Sequence, residues 1–349
     1  KEALYLFLLQ KREENELSQA FTAYNTRIVT PPHGSMLPTS PVHKNIFMVA
    51  FALGLLIPIV IIFMRENMNT RVRGRKDLEN LTIPFIGEIP LFTRKKKGIL
   101  GKKPQEVKAV IVKEGNRDII NEAFRVLRTN LEFMTGKDKT SNVIIMTSFN
   151  PGSGKSFLTM NIAVSLAIKG KKVLVIDGDL RHASASSYID SPDKGLSDYL
   201  GGRIDNLDEI IVPDPKHKSM DILPVGTIPP NPTELLFDER LKQTIDTVRE
   251  QYDYVLIDCP PVELVADTQI IEKLADRTVF VVRAGLLERS MLAELEKIYG
   301  EKKYKNMSLI LNGTEGSGGR YGYRYGYRYG YHYGYGSEYH YGSDEKYIE

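Results

Sequence analysis

A single cysteine, Cys259, stands in 349 residues. It has no second cysteine to pair with and no CxxC or histidine at metal-ligand spacing. That excludes a disulfide scaffold or a zinc knuckle and fits a main body kept in a reducing compartment. Net charge is nearly as scarce: 47 Lys+Arg meet 44 Asp+Glu, leaving +3, which excludes a globally basic nucleic-acid binder. The imbalance is local. Residues 65–103 hold eleven Lys/Arg against four Asp/Glu, or +7, so the rest of the chain carries about −4. Aliphatic side chains are missing after Gly313 until Ile348. Residues 315–349 therefore cannot bury enough surface to offset ordering entropy, and disorder is expected there.

Charged and amide side chains are in turn absent from "IFMVAFALGLLIPIVIIFM", residues 46–64. At about 1.5 Å per residue these nineteen residues span roughly 29 Å as a helix, close to the hydrocarbon thickness of a bilayer, so a transmembrane helix is expected. Arg65, Arg71, Arg73, Arg75 and Lys76 follow it, and only His43 and Lys44 precede it. The positive-inside rule then puts everything after residue 64 in the cytoplasm and the preceding segment outside. That segment, "TPPHGSMLPTSPVHKN", has four prolines and reads as a stiff extended connector. The opening "KEALYLFLLQKREENELSQAF" reads as the end of an amphipathic or coiled-coil helix whose start is missing, so the chain is expected to be a fragment of a longer protein, with residues 1–45 the end of an extracytoplasmic helical region and the connector. The basic stretch 65–104, with "RKKK" at 94–97, reads either as a solvated linker or as a contact with anionic lipid, worth about 1 kcal/mol per Lys or Arg.

From residue 105 to 314 short apolar runs alternate with helix-like segments: "VIIM" at Val143, "VLVI" at Val173, "ILPV" at Ile222, "YVLI" at Tyr254, "VFVV" at Val279 and "LIL" at Leu309. Runs apolar at successive positions mean strands buried on both faces, so one α/β domain with a parallel sheet between helices is expected.

Directly after the first of these strands comes "TSFNPGSGKSFLTMNIAVSLAIKG". Strand, glycine-bearing loop, then Gly-Lys-Ser opening a helix is the setting of a phosphate-binding P-loop. Pro151, Gly152, Ser153, Gly154, Lys155, Ser156 and Phe157 are the expected nucleotide contacts. Lys155 would neutralise the β/γ oxygens of ATP and Ser156 would ligate Mg²⁺. The loop departs from the common pattern at Phe149, where a glycine should fall. "VLVIDGDLR" places Asp177 and Asp179, and "YVLIDCPP" places Asp258, at the carboxyl ends of strands, the edge where open α/β sheets bind ligands. One such Asp alone is often only a cap or turn residue, but three beside a P-loop point to a site. Asp258 is expected in the Mg²⁺ shell, and Asp177 and Asp179 divide metal binding, for which Asp179 is named, and handling of the nucleophile.

These pieces in order resemble one family, the bacterial tyrosine kinases of capsule and exopolysaccharide assembly, the BY-kinases. The resemblance spans nearly the whole chain: the proline-rich stretch into an apolar helix, "FIGEIP" at Phe85, "EAFRVLRTNLEF" at Glu122, the P-loop, "IDGDLR", "GLSDYLGG" at Gly195, "PPNPTELL" at Pro229, "LIDCPP" and a tyrosine-rich end. The family's own loop is atypical where Phe149 stands. The resemblance implies an ATP- and Mg²⁺-dependent protein-tyrosine kinase in the inner membrane, its N-terminal portion periplasmic. It implies a homo-oligomeric ring, octamer-like, closed by Glu122, Arg125 and Arg128, which spacing alone would leave as a solvated helix face. It also implies a polysaccharide polymerisation and export machinery and a tyrosine phosphatase as partners, with membrane lipid and no nucleic acid. The phosphoacceptors would be Tyr321, Tyr323, Tyr325, Tyr327, Tyr329, Tyr331, Tyr333, Tyr335, Tyr339, Tyr341 and Tyr347, on a glycine-spaced strand thin enough for different phenols to enter one site.

Two rivals remain. A membrane-tethered ATPase switch of the MinD/ParA type shares the fold and P-loop but carries a signature lysine where this chain has Asn150. An adhesive module would use the Tyr/Gly/Arg tail for stacking and cation–π contact.

Overall fold

The computed structural model describes residues 1–21, 34, 43–92, 110–136, 141–262 and 266–315. The proline-rich connector apart from Gly34 and residues 43–45, the "RKKK" run and the tyrosine cluster lie outside them. The chain divides into two units, residues 1–69 and 70 onward.

The first unit holds two helices. In α1 (Glu2–Ala20) the apolar residues gather in the first two turns, and the polar half carries the Lys11–Glu14 and Arg12–Glu16 pairs at 2.5 and 2.9 Å. The second helix, α2 (His43–Asn67), contains the apolar run and is long and apolar enough to cross a membrane by length and composition.

The second unit is built on one eight-stranded sheet. In chain order its elements are β1 (Phe85–Pro90), α3 (Ile119–Thr135), β2 (Val143–Thr147), α4 (Lys155–Ile168), β3 (Val173–Asp177), α5 (Leu196–Leu200), β4 (Val212–Pro213), β5 (Met220–Leu223), α6 (Pro232–Leu236), α7 (Glu239–Gln251), β6 (Tyr254–Asp258), α8 (Asp267–Glu272), β7 (Arg277–Arg283), α9 (Met291–Gly300) and β8 (Ser308–Thr314). The strand order is β1-β8-β7-β2-β6-β3-β5-β4, with every pairing parallel except β4 on β5. All residues of β2, β3 and β6 are buried, as their uninterrupted apolar sequences require. Phe124, Leu127, Leu158 and Ile162 from α3 and α4 belong to one core cluster. Leu241, Ile245, Leu295 and Ile298 from α7 and α9 belong to the other. The expected α/β class with a parallel sheet between helices is what the chain forms.

The stretch 65–104 does not behave as a linker throughout. Val72, Leu78, Ile83, Ile86 and Ile89 are buried, and "FIGEIP" is β1, paired in parallel with β8. Arg71 makes an isolated bridge to Glu288, Val72 exchanges 2.8 Å backbone hydrogen bonds with Leu287 and Gly285, and Asp77 pairs with Arg289 at 3.1 Å. The reason is spacing: Arg71, Arg75 and Lys76 sit at exposed positions while the apolar residues between them fill the core.

Candidate nucleotide site

β2 carries the chain to the carboxyl edge of the sheet, where residues 148–154 turn into α4. The Asn150 carbonyl accepts hydrogen bonds from Ser148 Oγ at 2.8 Å and Ser153 Oγ at 2.7 Å, tightening the loop on itself. Gly154, the N-cap of α4, has φ +88°, a conformation that glycine adopts at little cost. No side chain caps α4, so its first N–H groups are left to face an anion. Phe149 is buried and meets Phe280 edge-on with centroids 4.9 Å apart, so the residue that departs from the glycine pattern anchors the loop in the core. Pro151 and Gly152 are exposed, Ser153 and Lys155 are buried, and Ser156 and Phe157 are half-buried. Phe157 makes an edge contact with Phe124 of α3 at 6.0 Å, which ties α4 to the helix layer.

Asp177 and Asp258 end adjacent strands and are register partners across β3 and β6. Asp177 is fully buried, its Oδ2 accepting from the Ser186 N–H and Oγ, both at 2.7 Å, and its Oδ1 from the Asp179 N–H at 3.3 Å. Burial still raises its pKa despite the Ser186 hydrogen bonds. Asp258 is 1% exposed, and neither of its oxygens has a hydrogen-bond partner among the described residues. Burial and then the neighbouring Asp177 push its carboxyl well above the usual range, with Lys155 and Ser156 pulling the other way. Asp179 Oδ1 accepts from the Arg181 and His182 N–H groups at 3.3 and 3.2 Å. Burying a carboxylate with no donor is costly. Asp258, with only Ser156 and Lys155 drawing it toward its charged form and the uncapped start of α4 nearby, fits a divalent cation carried in with phosphate, and the donor set is all oxygen, as Mg²⁺ prefers. Among the described residues the carboxylates do not gather into a cluster that would hold a metal by itself.

Lys155 thus shares one edge with all three carboxylates. Arg283, Asn312 and Tyr188 line a cleft with Gly152, Lys155 and Ser156, which none of the three carboxylates lines, and were not singled out from the sequence. Their signal was available: "VFVVR" and "LILNG" each end an apolar strand run on a polar residue at the carboxyl edge. The "PPNPTELL" segment reaches the site through Thr233, whose hydroxyl donates to Asp267 at 2.6 Å and accepts from Arg181 at 2.9 Å, while Arg181 pairs with Asp267 at 3.0 Å.

On α3, Arg125 pairs with Glu122 at 2.7 Å and both remain partly exposed. Arg128 instead donates to the Ser165 carbonyl of α4 at 2.8 Å, while its Nε is buried without a partner among the described residues. It is a tie within the chain, a role that spacing on one helix could not reveal. Arg128→Ala is expected to cost about 1 kcal/mol and lower the unfolding midpoint by a few degrees. Arg125→Ala should cost a similar amount, because it too loses a hydrogen bond to a backbone carbonyl, that of Asn116 at 2.5 Å. Thermal denaturation of both variants checks the match.

A parallel sheet with a P-loop and three acidic residues on its carboxyl edge defines the class of P-loop nucleotide-binding α/β proteins. A family profile described as "AAA domain" matches residues 141–299. The chain is 32% identical over 308 residues to a putative tyrosine-protein kinase AmsA of Erwinia amylovora, covering 85% of this chain and 41% of that one. It is 30% identical over 295 residues to the tyrosine-protein kinase etk of Escherichia coli K12, covering 81% and 40%. Among solved structures, the kinase domain of E. coli ETK superposes with a TM-score of 0.61 at 28% identity over 76% of this chain and all of that one. The BceF tyrosine kinase domain gives 0.58 at 30% identity, with 70% and 99% covered. The chain belongs to the bacterial tyrosine kinase family, and it spans about two-fifths of the length of those curated relatives.

Proposed function

We propose that this chain is an ATP- and Mg²⁺-dependent protein-tyrosine kinase, anchored in the inner membrane by α2, that phosphorylates the terminal tyrosine cluster of neighbouring copies. The observation that carries the reading is the buried, unpartnered Asp258 carboxylate beside Lys155 at the P-loop. Bound ATP and Mg²⁺ would supply the transferable phosphoryl group and the charge that steadies it. Ser156 and Asp258, with Asp179 beside them, would hold the cation, and Lys155 would meet the phosphate oxygens. A tyrosine hydroxyl, un-ionised at neutral pH, must lose its proton as its oxygen bonds to phosphorus and the bond to the ADP oxygen breaks. Asp177 is suited to take that proton, because burial makes its carboxylate more basic than a free one.

Asp177→Asn is therefore expected to cut phosphotyrosine formation by about 10²–10⁴-fold while nucleotide still binds. Retained activity would move the role to Asp179. Glu122, Arg125 and Arg128 remain the candidates for the contact between copies, Glu122 exposed and both arginines half-buried. The 34 residues from Gly316 onward have a typical coil span of roughly 30–35 Å, enough to reach a neighbour's site. The same reading makes phosphorylation a regulator of capsular or exopolysaccharide polymerisation and export, reversed by a tyrosine phosphatase. The test is incubation with ATP and Mg²⁺ followed by phosphotyrosine mapping by mass spectrometry. ATP hydrolysis without phosphotyrosine would return the chain to the ATPase-switch class.

A further inference from the structure

We infer that Asn312 is a positioning residue that sets the phosphate loop in its anion-binding orientation; this rests on the proposed nucleotide reading of the cleft. Asn312 lies near the carboxyl end of β8, 159 residues from the loop, and is 2% exposed. Its Nδ2 donates to the Ser153 carbonyl at 2.8 Å. The two stretches of chain are pressed together so closely that a Cβ on Gly154 would overlap that amide nitrogen.

A trans peptide points its N–H opposite to its carbonyl. Holding the Ser153 carbonyl on Asn312 therefore turns the Gly154 N–H to the other side of the loop. Gly154, at φ +88°, has the freedom to flip this peptide, and a flipped peptide would present a carbonyl oxygen where phosphate must sit. The serine hydrogen bonds to the Asn150 carbonyl close the loop but leave this peptide plane unfixed. Asn312 is itself held rigidly: its backbone carbonyl accepts from the Ala284 N–H at 2.9 Å on one side, and it is in register with Ile89 of β1 on the other. Its amide is thus aimed by two neighbouring strands rather than by the loop it restrains.

The substitutions that separate this from simple packing are Asn312→Asp and Asn312→Ala. Asp keeps the shape but sets an acceptor against the Ser153 carbonyl, whereas Ala removes the donor and leaves a void. A packing role ranks Ala as the more damaging for ligand binding, and a positioning role ranks Asp. With Mg²⁺ and ADP as the probe, calorimetry on the full chain should show affinity about five- to tenfold weaker for Ala and weaker still for Asp. Circular dichroism confirms which variants are folded, and Asn312→Ser, with a smaller donor, serves as the partial rescue, expected to bind ADP more tightly than Ala. Affinities within twofold of the unsubstituted chain, or Ser binding no better than Ala, would overturn the inference and leave the nucleotide reading standing. Failure of the unsubstituted chain to bind ADP would overturn both.

Discussion

Lys155→Met should abolish phosphotyrosine on the tail, with a loss of at least about 10²–10³-fold, as for removal of one preorganised charge stabiliser. Lys155 opens α4, is 9% exposed, and is the cation that pulls the raised Asp258 pKa back down. The fold should survive, because the loop is fastened by Phe149 in the core and by the serine hydrogen bonds rather than by the ammonium group. Methionine fills most of the same volume. Without the lysine the acidic cluster would hold its protons more tightly, so the variant should also lose affinity for Mg²⁺-nucleotide. Phosphotyrosine mapping and circular dichroism together test this. Normal phosphorylation in the variant would sink the kinase assignment.

Asp258→Asn should move stability and activity in opposite directions. This carboxyl is fully buried without a hydrogen-bond partner among the described residues and its pKa is raised, so ionising it costs folding free energy. A carboxyl that binds its proton more tightly when folded gives stability that is full below its ordinary pKa near 4 and declines as pH rises through the raised folded value. The amide carries no such loss. The variant should therefore be more stable than the parent by on the order of 1–3 kcal/mol near pH 8, with the gap closing toward pH 5. It should be inactive throughout, having lost the proposed cation ligand. Thermal unfolding in chelator at the two pH values decides it, and an unfolding midpoint at pH 8 no higher than the parent's would contradict the account.

The central strands were legible because burial on both faces leaves no room for polar alternation, and "VIIM", "VLVI" and "YVLI" cannot be anything milder. β5 begins at Met220 rather than Ile222 because Asp221, half-buried, breaks the apolar run yet still pairs with β3, where it also accepts from the Tyr252 hydroxyl at 2.8 Å. β1 escaped because only Ile86 and Ile89, three residues apart, are buried in it, which is not a strand period, and because the basic residues around it suggest a linker. At the site, Lys155 and the three aspartates were readable from strand-end position, since parallel strands bring their carboxyl ends to one edge. The contacts of Asn312 and Arg128 were not, because their partners, Ser153 and Ser165, are far away in sequence, and a one-dimensional pattern carries no trace of which loop or helix end a side chain will meet.

The parallel pairing of β1 with β8 sets where this protein can be cut. A fragment beginning at residue 105 would keep the P-loop, all three aspartates and seven of the eight strands, yet β8 would become the border of the sheet. Its apolar "LIL" and its unpaired amides and carbonyls would be open to any passing strand, the usual route to edge-to-edge aggregation. The smallest soluble piece worth expressing begins near Thr70, where the second unit starts.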